Sequence, residues 1–406
     1  MDSSRFSGKK IILGVTGCIA AYKSALLVRE LVKAGAEVRV VMTPSAARFV
    51  APLTFSTLSC NEVIINIFPG DSSSGTSQNT WHIDLALWAD LMIVAPASVN
   101  TVAKIAHGFA DNALTTLITA RRCPLMIVPT ADVDMYNYVL TQENLKKIES
   151  TGAYILEAEE GELASGLKGK GRLPEIDKIL DAVSVVLSSR KKDFSGRKVI
   201  VTAGPTYEDI DPVRFIGNRS SGKMGYAIAK AAFLRGAEVT LISGPSSEKP
   251  YQEFRFIKVH SASEMEAALR NEITDHDTLI MSAAVADFKP AVKAENKIKK
   301  DAKPASIELT ENADIVKSLI GLTAGKVIAG FALETENETA NALNKLKSKG
   351  LDLIALNSAV KEGAGFEHDT NELTLIAKDG SQTAVPMMLK FDAANVILDN
   401  VLKVKK

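Results

Sequence analysis

Two stretches of the chain carry the same alternation of apolar and polar positions. In KKIILGVTGCIAAYKSALLVRELVKAGAEVRVVMT, Lys9 to Thr43, a continuous apolar run feeds a small-residue turn; apolar positions then recur at helical spacing, and a second apolar run follows. The stretch from Arg197 to Gly244 repeats that order, with RKVIVTAG, NRSSGKMG, YAIAKAAFLRGA and EVTLISG as its parts. A short run bounded by glycine reads as a buried strand, and a period near 3.6 reads as a helix packed on it. Each copy therefore opens a doubly wound α/β domain, where the turn at the carboxyl end of the first strand presents free N–H groups to a phosphate. Two copies predict two Rossmann-like domains and two sites of nucleotide type.

The pattern continues on both sides of residue 190. Before it, LMIVAP and PLMIVP alternate with helical stretches near Val99–Ala106 and Ala113–Ala120, after a first helix near Ala20–Lys33. After it come TLIMSAA, KVIAGFA and DLIALN, then ELTLIAKDGSQTAVPM as an antiparallel hairpin turning at Asp379-Gly380, and a closing helix from about Leu389 to Leu402. In LSSRKKDFSGRK, Leu187 to Lys198, helical periodicity gives way to charge and serine, so the domains are placed at 1–190 and 191–406. Two stretches lack any period and read as loops: DSSSGTSQNT, Asp71 to Thr80, and GELASGLKGKGRL, Gly161 to Leu173. Loops of this sort often cover active sites.

Composition narrows the function. A 46% hydrophobic content in 406 residues is ample for two cores. A formal charge of zero gives no electrostatic signature for nucleic acid or a membrane surface. Cys18, Cys60 and Cys123 lack CxxC spacing, which argues against a disulfide framework and a cysteine zinc site and fits a reducing cytoplasm. The opening MDSSRFSGKK has no apolar signal region, and no run reaches the roughly 18 residues of a membrane span. The expectation is a soluble, cytoplasmic protein.

In the first domain, Thr16 and Gly17 end the first strand, and Thr43 and Ser45 follow the second. Pro96, Ala97, Ser98, Asn100 and Thr101 follow the third, and Gly108 to Asn112 open a helix. All sit at strand carboxyl ends or adjoining turns, where ligands bind in open α/β sheets. A full GxGxxG fingerprint is absent, and Lys223 is followed by methionine in SSGKMG, so neither a nicotinamide dehydrogenase nor a Walker ATPase is supported.

The segments WHIDLALWADLMIVAPASVNT and GFADNALTT resemble the flavin-dependent cysteine decarboxylases, which share HxDL, PASxNT and GxxDNLL-like segments. The resemblance implies FMN as cofactor, with Thr16, Gly17, Thr43, Ser45 and the Pro96–Thr101 turn around it. It implies a thiol substrate with a free carboxylate near Asp111, Asn112 and Met135, and makes His82 the residue that positions substrate or handles its proton. Two positions depart from the pattern. PxMNxxM becomes Pro129 to Met135 with Asp132 at the asparagine, and the clamp cysteine becomes Ser165 between Ala164 and Gly166. An ionised Asp132 about 4 Å from a substrate carboxylate would repel it by roughly 4 kcal/mol at an effective dielectric near 20. A serine hydroxyl is also a far weaker acid than a thiol of pKa about 8.5, so another donor such as Lys168 would have to serve.

AGPTYEDIDPVRFIGNRSSGKMG, AAVADF, ENKIKK, GFALET and NALNKLKSKGLDLI resemble the phosphopantothenate–cysteine ligases across nearly all of the second domain. In bacteria that ligase is commonly fused behind the decarboxylase as a bifunctional coenzyme A biosynthesis protein, and both halves and their order match. The resemblance implies CTP with Mg2+, the metal's ligands being left open. It places Ser282, Ala283, Asp287, the turn Ala313, Asp314, Ile315 and Val316, and Phe331, Lys345 and Lys349 around the nucleotide. Lys345 and Lys349, four apart on a helix, would share one face. Lys293, Lys297, Lys299, Lys300 and Lys303 by themselves read as a solvated basic loop; the resemblance makes Lys297 a catalytic phosphate contact. It makes Asn218 the residue that turns the acyl-cytidylate over with cysteine, against a bland reading as a loop asparagine in left-handed geometry.

The expectation is therefore a bifunctional ligase and carboxy-lyase acting on 4'-phosphopantothenate, cysteine and CTP. The resemblance implies trimeric decarboxylase domains and pairing ligase domains in a larger homo-oligomer such as a dodecamer. The rival reading is an active ligase whose first domain binds flavin but is inert and serves assembly or regulation.

Overall fold

A computed structural model describes residues 5–68, 80–190, 192–299, 306–334, 337–358 and 368–404. The loop expected at Asp71 to Thr80 lies outside the described residues except for Thr80, and so do Lys300 and Lys303. The chain divides into two compact units, Met1–Lys191 and Lys192–Lys406. Among the described residues no helix is long and apolar enough to cross a membrane.

The first unit runs β1 (Lys10–Val15), α1 (Ala21–Lys33), β2 (Glu37–Met42), α2 (Pro52–Ser59), α3 (Trp81–Trp88), β3 (Leu91–Ala97), α4 (Val99–Ala106), α5 (Ala113–Ala120), β4 (Leu125–Pro129), α6 (Val133–Asn137), α7 (Val139–Ser150), β5 (Tyr154–Ile155), β6 (Glu159–Glu162), β7 (Lys168–Arg172) and α8 (Ile176–Leu187). Its sheet is parallel with order β2-β1-β3-β4-β5. That is the flavodoxin-like order, in which the chain switches direction across the sheet between β1 and β3. Helix α1 buries Ala21, Ser24, Leu27, Val28 and Leu31, the i, i+3, i+4 stripe that its sequence spacing demands. Met92, Val94, Leu114, Leu117 and Ile127 fill the core on one face of the sheet.

The stretch from Gly161 to Leu173, expected as a loop without period, is instead part of an antiparallel hairpin of β6 and β7. Its glycines hide the strand signal because they answer a packing demand. A Cβ on Gly171 would stand 2.1 Å from the Ala131 carbonyl oxygen, and one on Gly169 2.4 Å from Val133 Cγ2. Only a bare backbone lies this close to the turn after β4.

The second unit runs β8 (Lys198–Ala203), β9 (Tyr207–Asp209), β10 (Phe215–Gly217), α9 (Lys223–Leu234), β11 (Glu238–Ser243), β12 (Arg255–Lys258), α10 (Ala262–Glu272), β13 (Thr278–Met281), β14 (Phe288–Pro290), β15 (Leu309–Glu311), α11 (Ile315–Ser318), β16 (Val327–Glu334), α12 (Glu338–Ser348), β17 (Leu353–Ser358), β18 (Thr370–Ala377), β19 (Gln382–Leu389) and α13 (Lys390–Lys403). The main sheet is ordered β12-β11-β8-β13-β16-β17-β18-β19. It is parallel through β17 and ends in the expected antiparallel hairpin and closing helix. Counted along this sheet, the first six strands lie 3-2-1-4-5-6, with the switch between β8 and β13.

Fully buried Arg235 anchors the start of this unit. Its guanidinium donates to Asp193 and to the Asn395 carbonyl, lies 2.9 Å from the Asp399 carboxylate, and stacks over Phe194. Removing one partner of a buried ion pair leaves charge without compensation. Arg235→Met should cost about 3 kcal/mol in the second unit. In urea titrations the circular-dichroism transition should split, while fluorescence of Trp81 and Trp88, both in the first unit, stays in place.

Candidate functional site

In the first unit four strand exits converge. Thr16, fully buried, donates its hydroxyl to the Pro96 carbonyl at 2.7 Å and accepts from the Ser98 N–H at 2.8 Å. Its hydroxyl is thus occupied in joining the exits of β1 and β3, and what it gives a ligand is a fixed crevice. Gly17 permits the exit of β2 to close in, since a Cβ there would lie 2.4 Å from Ser45 Cβ. Thr43 accepts from the Ala46 N–H, ordering that same turn. Ser98 caps α4 by accepting from the Thr101 N–H, and Thr101 is buried behind it. Pro96 and Ala97 are buried in β3, whereas Asn100 is exposed on the first turn of α4. Cys18 Sγ lies 3.8 Å from the Thr130 carbonyl, bringing the exit of β4 to the same edge.

Around this crevice, Asn112 caps α5 and donates to Asp111, and the Lys104 ammonium at 2.5 Å holds the Asp111 carboxyl below its usual range. Asp111 and Asn112 border an open pocket of about 310 Å³ with Pro44 and Phe68. His82 is not a loop residue: it lies in the first turn of α3, edge-on to Trp81, and α3 packs against α5. Met135 is exposed on α6. Asp132 and Ser165, the two departures from the decarboxylase pattern, are partners, with the Ser165 hydroxyl donating to the Asp132 carboxylate. Lys168 is exposed on β7.

The second unit holds a cavity of about 460 Å³ at its switch point. The exits of β8 and β13 are stitched together there: Thr202 accepts from the Ala283 N–H, Thr206 from the Ala286 N–H, and Gly204 O from the Ala284 N–H. Asn218 donates to both the Ala284 and Val285 carbonyls at 3.1 Å. It is absent from the positive-φ residues, so left-handed geometry does not explain it. Ser282, Ala283, Asp287, Ala313, Asp314, Ile315, Val316, Phe331, Lys345 and Lys349 all line the cavity.

Two expectations change in detail. Lys349 caps α12 rather than lying within it, and its ammonium is 3.3 Å from Asp314, whose carboxylate also caps α11. Lys297 is exposed and does not line the cavity. Its loop is tied to the β9–β10 pair, because Ile298 donates to Asp211, Arg214 donates to the Ile298 carbonyl, and Ala294 donates to the Ile210 carbonyl. Lys293 is paired with Asp209 at 2.7 Å and does not line the cavity. Lys299 is exposed in the same loop.

Sequence reasoning missed Lys223, Asn357, Asn371 and Lys390, all of which line the cavity. Lys223 and Lys390 each open a helix, α9 and α13, where the dipole disfavours a cation. A lysine at a helix start is the available signal for an anion site. Lys390 is buried, donates to the His368 carbonyl, and has its ammonium pushed down to about 8 by burial and then by Lys223. Among the described residues no group of three or more His, Cys, Asp or Glu is placed to hold a metal.

The flavoprotein family model matches residues 2–188, and the model of the DNA/pantothenate metabolism flavoprotein C-terminal domain matches residues 194–404. The coenzyme A biosynthesis bifunctional protein CoaBC of Bacillus subtilis (strain 168) is 42% identical over 402 residues, covering 98% of this chain and 98% of that protein. The chain belongs to this bifunctional family. A cysteine/cysteine sulfinic acid decarboxylase from an unknown prokaryotic organism is 43% identical over 358 residues, 87% of this chain and 99% of that protein. Among solved structures, the C-terminal domain of coenzyme A biosynthesis bifunctional protein CoaBC is similar at 37% identity and a TM-score of 0.44, over 51% of this chain and 94% of that one.

Lys390 gives the cavity a pH dependence of known sign. Below pH about 8 it is an ammonium, and above it an amine, so affinity for tripolyphosphate should fall several-fold between pH 7 and 9 in titration calorimetry. Lys390→Met should bind weakly at both and show no such fall. Between about pH 8 and the ordinary lysine value the unfolded chain binds a proton the folded chain does not, so this group makes stability rise with pH across that window.

Proposed function

We infer that the chain carries out two consecutive steps of coenzyme A biosynthesis, a ligation in the second unit and a decarboxylation in the first. The observation that carries this reading is that both halves match, in order and along nearly the full length, relatives named as the bifunctional protein. Those relatives are named for two activities, which disfavours an inert first unit.

In the second unit the carboxylate oxygen of 4'-phosphopantothenate attacks the α-phosphorus of CTP and pyrophosphate leaves. The cysteine amine then attacks the acyl carbon, CMP leaves, and the amine's proton passes to solvent. Each phosphoryl group carries charge that must be met by fixed cations. Lys223, Lys345, Lys349 and Lys390 supply them at the cavity wall, and Mg2+ enters with the phosphates. Asp287, Phe331 and the Ala313–Val316 turn surround the nucleotide. Asn218, clamped across the Ala284–Val285 turn, positions the acyl group for cysteine. Lys297, exposed on the loop tied to Asp211 and Arg214, is a further cation for the phosphates.

In the first unit the crevice at the β1/β3 switch fits FMN, because Gly17 lets two strand exits meet and α4 begins at the same edge, directly after β3. Bound there, FMN would take two electrons from the carbon–sulfur unit, creating the electron sink that lets CO2 leave, and would return them afterwards, so that the reaction has no net redox change. Gly17, Ser45 and Ser98 to Thr101 hold the cofactor, and His82 orients the thiol substrate and its proton. Exposed Ile19, Tyr22, Leu26 and Leu53 support self-association of this unit into a homo-oligomer.

The purified chain should be yellow. It should release pyrophosphate from CTP only with 4'-phosphopantothenate present, about one equivalent per site without cysteine and continuously with it, and form CO2 from phosphopantothenoylcysteine. Lys297→Gln should lower pyrophosphate release at least about tenfold and leave CO2 formation from preformed phosphopantothenoylcysteine unchanged, because the changed charge lies in the second unit. Colourless protein, or pyrophosphate release indifferent to Lys297, would contradict the assignment.

A further inference from the structure

The β6–β7 hairpin is fixed at three levels. At its base, buried Glu159 lies 3.5 Å from the buried Lys178 ammonium of α8. Midway, the Ala131 N–H donates to the Gly171 carbonyl, and Gly169 packs on Val133. At its tip, within the Leu163–Leu167 turn, Ser165 donates to Asp132 and accepts from the Leu167 N–H at 3.4 Å. The tip therefore lies over the exit of β4, the edge where ligands bind in a parallel sheet.

We propose that Ser165 is a positioning residue for the decarboxylation: its hydroxyl ties the hairpin tip to the turn after β4 and holds the Asp132 carboxylate toward the hairpin, away from the carboxylate of the substrate. This rests on the decarboxylase reading above. A substrate that loses CO2 must enter with a carboxylate, and a second carboxylate at the same edge repels it unless a donor engages and turns it. The serine hydroxyl is that donor. Two residues that look like separate departures in the sequence thus act as one unit.

Two measurements test it. Hydrogen exchange of the Leu163–Leu167 amides, on the full chain, should speed up about tenfold in Ser165→Ala and in Asp132→Ala, with the double variant no faster than either single one, since a hydrogen bond to a charged group is lost once. For decarboxylation, Ser165→Ala should raise KM for phosphopantothenoylcysteine about tenfold, while inhibition by the decarboxylated product, which lacks the carboxylate, stays unchanged. Adding Asp132→Asn to Ser165→Ala should restore KM, because the repelling charge is gone.

Unchanged exchange in both single variants, or additive exchange effects, would overturn the tether. Equal weakening of substrate and product, or no rescue by Asp132→Asn, would reduce Ser165 to a structural residue and overturn the positioning role. An unaltered chain that forms no CO2 would instead overturn the decarboxylase reading, and the exchange arm would still decide the tether.

Discussion

A buried threonine hydroxyl shared between two strand exits is the interaction on which both crevices depend. Where a parallel sheet switches direction, neighbouring connections leave toward opposite faces and the backbone groups of their turns have no ladder partner. Thr16 solves this in the first unit by bridging the Pro96 carbonyl and the Ser98 N–H. Thr202 and Thr206 solve it in the second by accepting from Ala283 and Ala286. All three side chains are fully buried, so an orphaned partner would cost about 1–3 kcal/mol. The turns that wall each crevice are thereby held in fixed positions.

The two crevices share this frame and differ in charge. The first is edged by small, mostly neutral residues, with Asp111 engaged by Lys104 and Asp132 by Ser165. Such a site suits a flat, largely uncharged ring with one phosphate. The second is walled by Lys223, Lys345, Lys349 and Lys390, which suits a polyphosphate whose charge must be met twice, on binding and on transfer. One backbone arrangement thus recurs in a decarboxylase unit and a ligase unit, with different side chains lining each crevice.

The sequence made visible what is local. The first strand, small-residue turn and amphipathic helix of each unit are coded within about 35 residues, and Thr16, Gly17 and the Pro96–Thr101 turn stood out because small residues at strand ends have few other uses. Strand order was not visible, since it depends on pairing between distant runs. The β6–β7 hairpin was hidden because Gly169 and Gly171 meet the demands of Ala131 and Val133 rather than those of strand propensity. Lys390 was missed because it joins the second cavity from the far end of the chain, whereas Lys297, expected at the phosphates, stands outside the cavity wall on a loop tied to Asp211 and Arg214. The pairing of Asp132 with Ser165 needed coordinates, because nothing in a 33-residue separation indicates a contact.

Assaying ligation and decarboxylation separately in the two isosteric variants Thr16→Val and Thr202→Val shows whether the bridging hydroxyls hold the crevices in shape. Thr16→Val should lower flavin content and CO2 formation about tenfold with ligation intact, and Thr202→Val should lower CTP-dependent pyrophosphate release similarly with decarboxylation intact. Loss of both half-reactions in either variant, or of neither in both, would contradict that role.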